Sequence, residues 1–153
     1  MVWKAALALV LLASAGQATA AAKPFAAKVA EAKASLVKTA DDVYLEMAAQ
    51  SQGAGMTART VRDLALWQLI GYSLGTCKRH NSQADMVRWL SSFDFVDIGL
   101  PAETSGEIRQ SGNSSVIKGG KADLGLTAVQ EAAYCRVELA AIRQLMTERF
   151  AQP

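Results

Sequence analysis

Residues 71–81, GYSLGTCKRHN, place Cys77 three positions before His80, the only histidine of the chain, with Lys78 and Arg79 between them. On a helix, positions i and i+3 share a face, so thiol and imidazole would be neighbours. The two cations would lower the thiol pKa. Thiolate chemistry also needs a group that orients the base, and the sequence offers none visibly. If the segment ends a helix, its carbonyls point at Cys77 and disfavour a thiolate. Metal chemistry has less to work with. One histidine and no CxxC spacing supply neither a zinc set nor a haem attachment, so no metal and no cofactor are expected. Gly119-Gly120-Lys121 lacks the glycine spacing and the Ser/Thr of a phosphate loop.

The second cysteine decides how the first is read. Cys77 and Cys135 are the two cysteines of the chain. An even count in an exported protein favours a disulfide. Cys77 is in helical phase with Leu66, Ile70 and Leu74, and Cys135 lies on the apolar stripe of a later helix. Both therefore face inward, and the bond would be worth about 4 kcal/mol in the chain-entropy model. A bonded Cys77 has no thiolate. Lys78, Arg79 and His80 then read as the cationic last turn of a helix, or as a small basic patch, with Arg88 one helix on, that meets an acidic partner.

Export is read from MVWKAALALVLLASAGQATA. Lys4 precedes an apolar run from Ala5 to Ala15, and Ala18-Thr19-Ala20 sets small residues at a cleavage site. The run is too short for a stable span of about 20 residues. Residues 1–20 are thus expected to be a signal peptide, and 21–153 a single helical domain in the periplasm or secreted. The leader takes one of the 16 Lys+Arg and none of the 14 Asp+Glu, leaving 15 − 14 = +1. That near-neutral balance argues against nucleic acid, and no later stretch is long enough for a membrane span.

Four helices follow from periodicity. Pro24 to Gln50 carries the stripe Phe25, Val29, Ala32, Leu36, Ala40, Val43 and Met47, and Gly53–Gly55 ends it. Ala58 to Lys78, with Thr57 as N-cap, is apolar or small on nearly every side, as in the buried centre of a bundle. Gly71 and Gly75 would let another helix approach closely. Gln83 to Ser92 starts at a Ser82/Asp85 capping box, with Met86, Val87, Leu90 and Phe93 as its inner face and Trp89 flanking. Ala128 to Phe150 starts at a Thr127/Gln130 box and carries Ala128, Ala132, Cys135, Leu139, Ile142 and Met146. Between the last two, residues 94–126 hold six of the 11 glycines and lose all periodicity. They read as a long Gly-rich loop, with a small hairpin over 107–110 and 115–118.

The expected fold is all-α: a bundle of about four helices with one long irregular loop and one internal disulfide. Its core should include Leu36, Val43, Leu66, Ile70, Leu74, Leu90, Leu139 and Ile142. The expected function is a non-catalytic interaction module, similar in plan to periplasmic inhibitors, immunity proteins and secretion chaperones, with another exported protein as partner. Binding groups would come from Lys78, Arg79, His80 and Arg88 at the corner and from Glu103, Glu107, Arg109, Asn113, Lys118 and Lys121 in the loop. The alternative is an enzyme or ligand carrier built around His80 with Arg79 and Arg88, or with Tyr72 and Tyr134. Export predicts that mass spectrometry of the secreted protein finds an N-terminus near Ala21. A chain beginning at Met1 in soluble cytosol would contradict it.

Overall fold

The structure, a computed structural model, describes residues 23–51, 56–96 and 99–150. The leader and the Gly53–Gly55 connection lie outside the described residues. Within them the chain is all-helical: α1 Phe25–Ser51, α2 Ala58–Thr76, α3 Gln83–Val96, α4 Ala102–Gly120 and α5 Ala128–Phe150. The expected number was four. The fifth helix occupies the stretch that reads as a loop.

α2 is the hub, because from Leu64 onward its residues are apolar or small on nearly every side and need cover there. It buries Leu64, Leu66, Trp67, Ile70, Gly71, Leu74 and Gly75, among others. Thr57 caps its N-terminus, with Oγ1 accepting from the Thr60 N–H at 3.1 Å. α3 turns back antiparallel on it. The two indoles stack 4.6 Å apart, and each donates to the other residue's carbonyl: Trp67 Nε1 to Trp89 O at 3.0 Å, and Trp89 Nε1 to Trp67 O at 2.9 Å. Gly71 makes room for this, since a Cβ there would lie 2.6 Å from Cζ2 of Trp89. α5 runs antiparallel to α2, pairing Ser73 with Glu138 and Cys77 with Cys135. α1 lies alongside α5 in the same direction, with Phe25 at Arg136 and Lys33 at Glu148.

The 94–126 segment is the main correction. α3 continues through it to Val96, and α4 holds both halves of the expected hairpin. α4 runs parallel to α2: Ser111 meets Gln68, Gly112 faces Trp67 and Gly119 faces the Tyr72 carbonyl. Periodicity fails there because α4 packs with small residues. Its buried positions are Ser105, Gly112 and Gly119, seven residues apart and therefore on one face. A Cβ on Gly112 would sit 2.1 Å from Cζ3 of Trp67, and one on Gly119 would sit 2.0 Å from the Tyr72 oxygen. Gly75 mirrors this from α2, with Val116 O at 2.0 Å from its would-be Cβ. Glycine costs up to about 1 kcal/mol in a helix interior, and close backbone packing offsets it. Gly99 (φ 83°) and Gly125 (φ 62°) adopt the left-handed conformation on either side of α4.

Most of the expected core is buried: Leu36, Leu66, Ile70, Leu74, Leu139 and Ile142. Val43 is only partly buried, at the edge of the cluster. Leu90 is 43 % exposed and Val87 54 % exposed, whereas Trp89, Phe93 and Val96 are buried. α3 is rolled by about one residue from the expected face, roughly 100°. Seating Trp89 on Trp67 buries more apolar area than seating Leu90 would. On α5, Ala128 and Ala132 are exposed, since the helix enters the bundle only at Cys135.

Leu139 is buried on all sides, so Leu139→Ala should cost about 2–5 kcal/mol. Gly119→Ala should also destabilise, by roughly 1–3 kcal/mol, because its methyl meets backbone. Urea titrations check both. A loss under about 0.5 kcal/mol, the range of ordinary surface substitutions, at either position would contradict this packing.

Candidate functional site

The candidate site is the end of the molecule where α2 and α4, running parallel, both finish. After α2, residues 77–80 form a turn in which the Cys77 carbonyl accepts from the His80 and Asn81 N–H groups at 2.8 and 2.9 Å. Cys77 itself points inward. Its sulfur is bonded to Cys135 at 2.05 Å, and both residues are fully buried. It has no thiolate to offer, and the Cys77/His80 pair is not a nucleophilic centre.

The neighbouring cations have diverse tasks. Lys78 donates from Nζ to the Gly120 carbonyl at 2.7 Å, capping the end of α4 rather than that of its own helix. His80 places Nε2 3.4 Å from Oε1 of Glu131 on α5, an ion pair when the imidazole is protonated. Arg79 is exposed and lines a shallow polar notch of about 150 Å³ with Thr76, Asp123, Leu124 and Glu131. Lys121 caps α4 and is exposed, as is Lys118 one turn earlier. The structure thus gathers Lys78, Arg79, His80, Lys118 and Lys121 at one end of two parallel helices. Cations suit that end, where helix carbonyls converge.

The remaining expected residues lie elsewhere. Arg88 is exposed in the second turn of α3. Glu103, Glu107 and Asn113 are exposed on α4. Arg109 is occupied: it donates from Nη2 to Asp94 Oδ1 at 2.7 Å and lies over the Phe93 ring. It pins α4 to α3 and is not a free binding group. Tyr72 and Tyr134 do come together, where α2 meets α5 near the disulfide.

Two buried carboxylates, Glu138 and Asp85, have tertiary partners that the sequence does not show. Glu138 is 7 % exposed, with Ser73 Oγ donating to its Oε1 at 2.9 Å. Burial pushes its carboxyl pKa up, and the Ser73 hydrogen bond offsets this only in part. Tyr134, next along the same face, has its phenol pKa raised by burial and then by the charges of Glu138 and Tyr72. The signal of burial was present: Glu138 is in phase with Cys135, Ile142 and Leu145. The second group is Asp85, which is 5 % exposed. Its carboxylate closes the α3 capping box with Ser82. Arg143 of α5 also grips it with two hydrogen bonds of 2.8 Å. The Arg143 bonds hold the Asp85 pKa well below the usual carboxylate range. This is a structural clamp between α3 and α5.

Among the described residues no group of three or more His, Cys, Asp or Glu is placed to hold a metal ion. No helix among them is long and apolar enough to cross a membrane. Comparison with family models, with curated proteins and with solved structures finds no match.

Glu138 yields a pH test. Its raised pKa means that the folded protein favours the neutral acid, so this group weakens the fold as pH rises from about 4.3, the ordinary glutamate value, toward the folded pKa. Glu138→Gln keeps an acceptor for Ser73 without the charge. The variant should be more stable than wild type at pH 7, and the gap should close below about pH 4. Asp85 acts in the opposite sense, losing stability as pH falls, but equally in both proteins. Thermal melts from pH 3 to 8 check this, and equal stability at pH 7 would refute it.

Proposed function

We propose that the chain is an exported, non-catalytic protein-interaction module of the periplasm that docks through the outer face of α4 and the adjoining cationic end. One observation carries this. The segment bearing Glu103, Glu107, Asn113, Lys118 and Lys121 is a helix seated backbone-to-backbone on α2, itself joined to α5 by the disulfide. Its buried side is spent on packing with Ser105, Gly112 and Gly119, and Glu103, Glu107, Lys118 and Lys121 face out. Charged groups held on a rigid support lose little entropy on binding. The leader and the buried disulfide support an oxidising compartment. Arg79, Lys118 and Lys121, at the shared end of α2 and α4, suit an acidic partner surface.

A second reading keeps one observation in its favour. The notch lined by Arg79, Asp123 and Glu131 lies where the ends of α2 and α4 meet the start of α5, and Glu131 on its wall also reaches the His80 imidazole. A general base there needs an orienting partner, and Glu131 is the one within reach.

Two sets of variants separate the readings. Reversing the outer charges of α4 (Glu103→Lys with Glu107→Lys, or Lys118→Glu with Lys121→Glu) should lower binding of the physiological partner about tenfold or more while leaving the fold intact. His80→Ala should leave binding unchanged, apart from a modest stability loss. Capture from periplasmic extract, with circular dichroism as the folding control, measures both. If His80→Ala abolishes activity and the α4 variants are silent, the notch reading replaces the first.

A further inference from the structure

We propose that the partner of the α4 face is a second copy of this chain, docked α4 against α4 in antiparallel orientation about a two-fold axis near residue 112. This rests on the reading of α4 as the binding surface and adds the identity of what it binds.

Helix geometry sets three rows along the exposed side of α4. Glu103 and Lys121 are about five turns apart, Glu107 and Lys118 about three turns, and Gly106 and Ile117 about three turns, at 3.6 residues per turn. The members of each pair therefore share an azimuth on the helix. All three pairs are also centred on the same place, at or within half a residue of 112. A two-fold axis there turns each row onto itself in reverse. Glu103 then meets Lys121 of the second copy, Glu107 meets Lys118, and Ile117 meets Gly106, each contact occurring twice. Such self-complementarity is what an isologous interface requires. A parallel copy would bring like charges together and lose the match.

Two features that the single chain leaves unexplained support this docking. Ile117 is 59 % exposed, a large apolar side chain in the middle of a polar face. Gly106 sits inside a helix although a Cβ there would meet nothing within 4 Å. Gly75, Gly112 and Gly119 are glycines because a neighbouring helix leaves no room, and Gly106 has no such neighbour within its own chain. In the antiparallel dimer it faces Ile117 of the second copy, which fills the place where its side chain would be. The four charged residues are likewise uncommitted: among the described residues none of them has an ion-pair partner. Between the charged ends, Gln110 of one copy lies across from Ser114 of the other, and both carry hydrogen-bonding groups. Exposed ion pairs contribute little each, so the dimer is weak, concentration-dependent and salt-sensitive.

The test is sedimentation of the mature, disulfide-bonded protein over a wide concentration range at low and high salt. Wild type should pass from monomer to dimer, at higher concentration in high salt. Glu103→Lys/Glu107→Lys and Lys118→Glu/Lys121→Glu should each dimerise about tenfold or more weakly alone, and a mixture of the two should recover a heterodimer. Gly106→Arg should fold normally, since its side chain meets open space, and should stay monomeric. A wild type that remains monomeric throughout, or single-sign variants and Gly106→Arg that dimerise like wild type, would overturn the proposal. A monomeric wild type whose α4 variants still lose capture of a different protein would overturn only this identity of the partner. The interaction-module reading would survive.

Discussion

The reciprocal contact between Trp67 and Trp89 is the constraint from which the rest of the packing follows. Two indoles stacked in a dry interior must each place an N–H somewhere, and an unsatisfied one costs about 1–3 kcal/mol. Here each donates to the other's backbone carbonyl. That exchange sets both the separation and the roll of α3 on α2. It turns Leu90 outward and Phe93 inward, where its ring lies 4.9 Å from that of Trp67. The far side of Trp67 then needs a cover that brings no side chain of its own, and Gly112 provides it. Arg109, over Phe93 and bonded to Asp94, closes the same assembly from outside.

A second set of contacts holds α5 against this unit, and it is polar where the first is apolar. The disulfide and the Ser73–Glu138 hydrogen bond tie α5 to α2, and the Asp85–Arg143 pair ties it to α3. The two carboxylates respond to pH in opposite senses. Asp85 favours the fold as long as it is ionised, because Arg143 and Ser82 satisfy it. Glu138 favours it as a neutral acid, because one hydroxyl does not repay a buried charge. The same residue type of charge is therefore stabilising or costly according to its partners.

The cationic cluster after α2 illustrates how a site can be legible as residues and illegible as geometry. Lys78, Arg79 and His80 read as the cationic last turn of a helix, but α2 closes at Thr76 and they form the turn that follows it. Nothing in the sequence says that Lys78 reaches a carbonyl of α4, or that His80 reaches Glu131 of α5. The first depends on α2 and α4 ending at the same level, which depends in turn on the glycine-lined crossing, and the second on α5 being held beside the end of α2 by the disulfide.

Local chemistry is enough to give the caps at Thr57, Ser82 and Thr127, the all-round apolar character of α2 and the pairing of the two cysteines. Each rests on side-chain spacing within a few residues, or on a pair with no alternative partner. The existence of α4 and the roll of α3 were decided by the tertiary structure. Four glycines and four serines in nineteen residues give α4 neither a hydrophobic period nor good propensity. It is a helix because α2 offers a surface on which only a near-bare backbone fits. The inner face of α3 was ambiguous because Val87, Leu90, Trp89 and Phe93 support two faces of nearly equal hydrophobicity. The choice fell to the ring on α2 that one of those faces could stack upon.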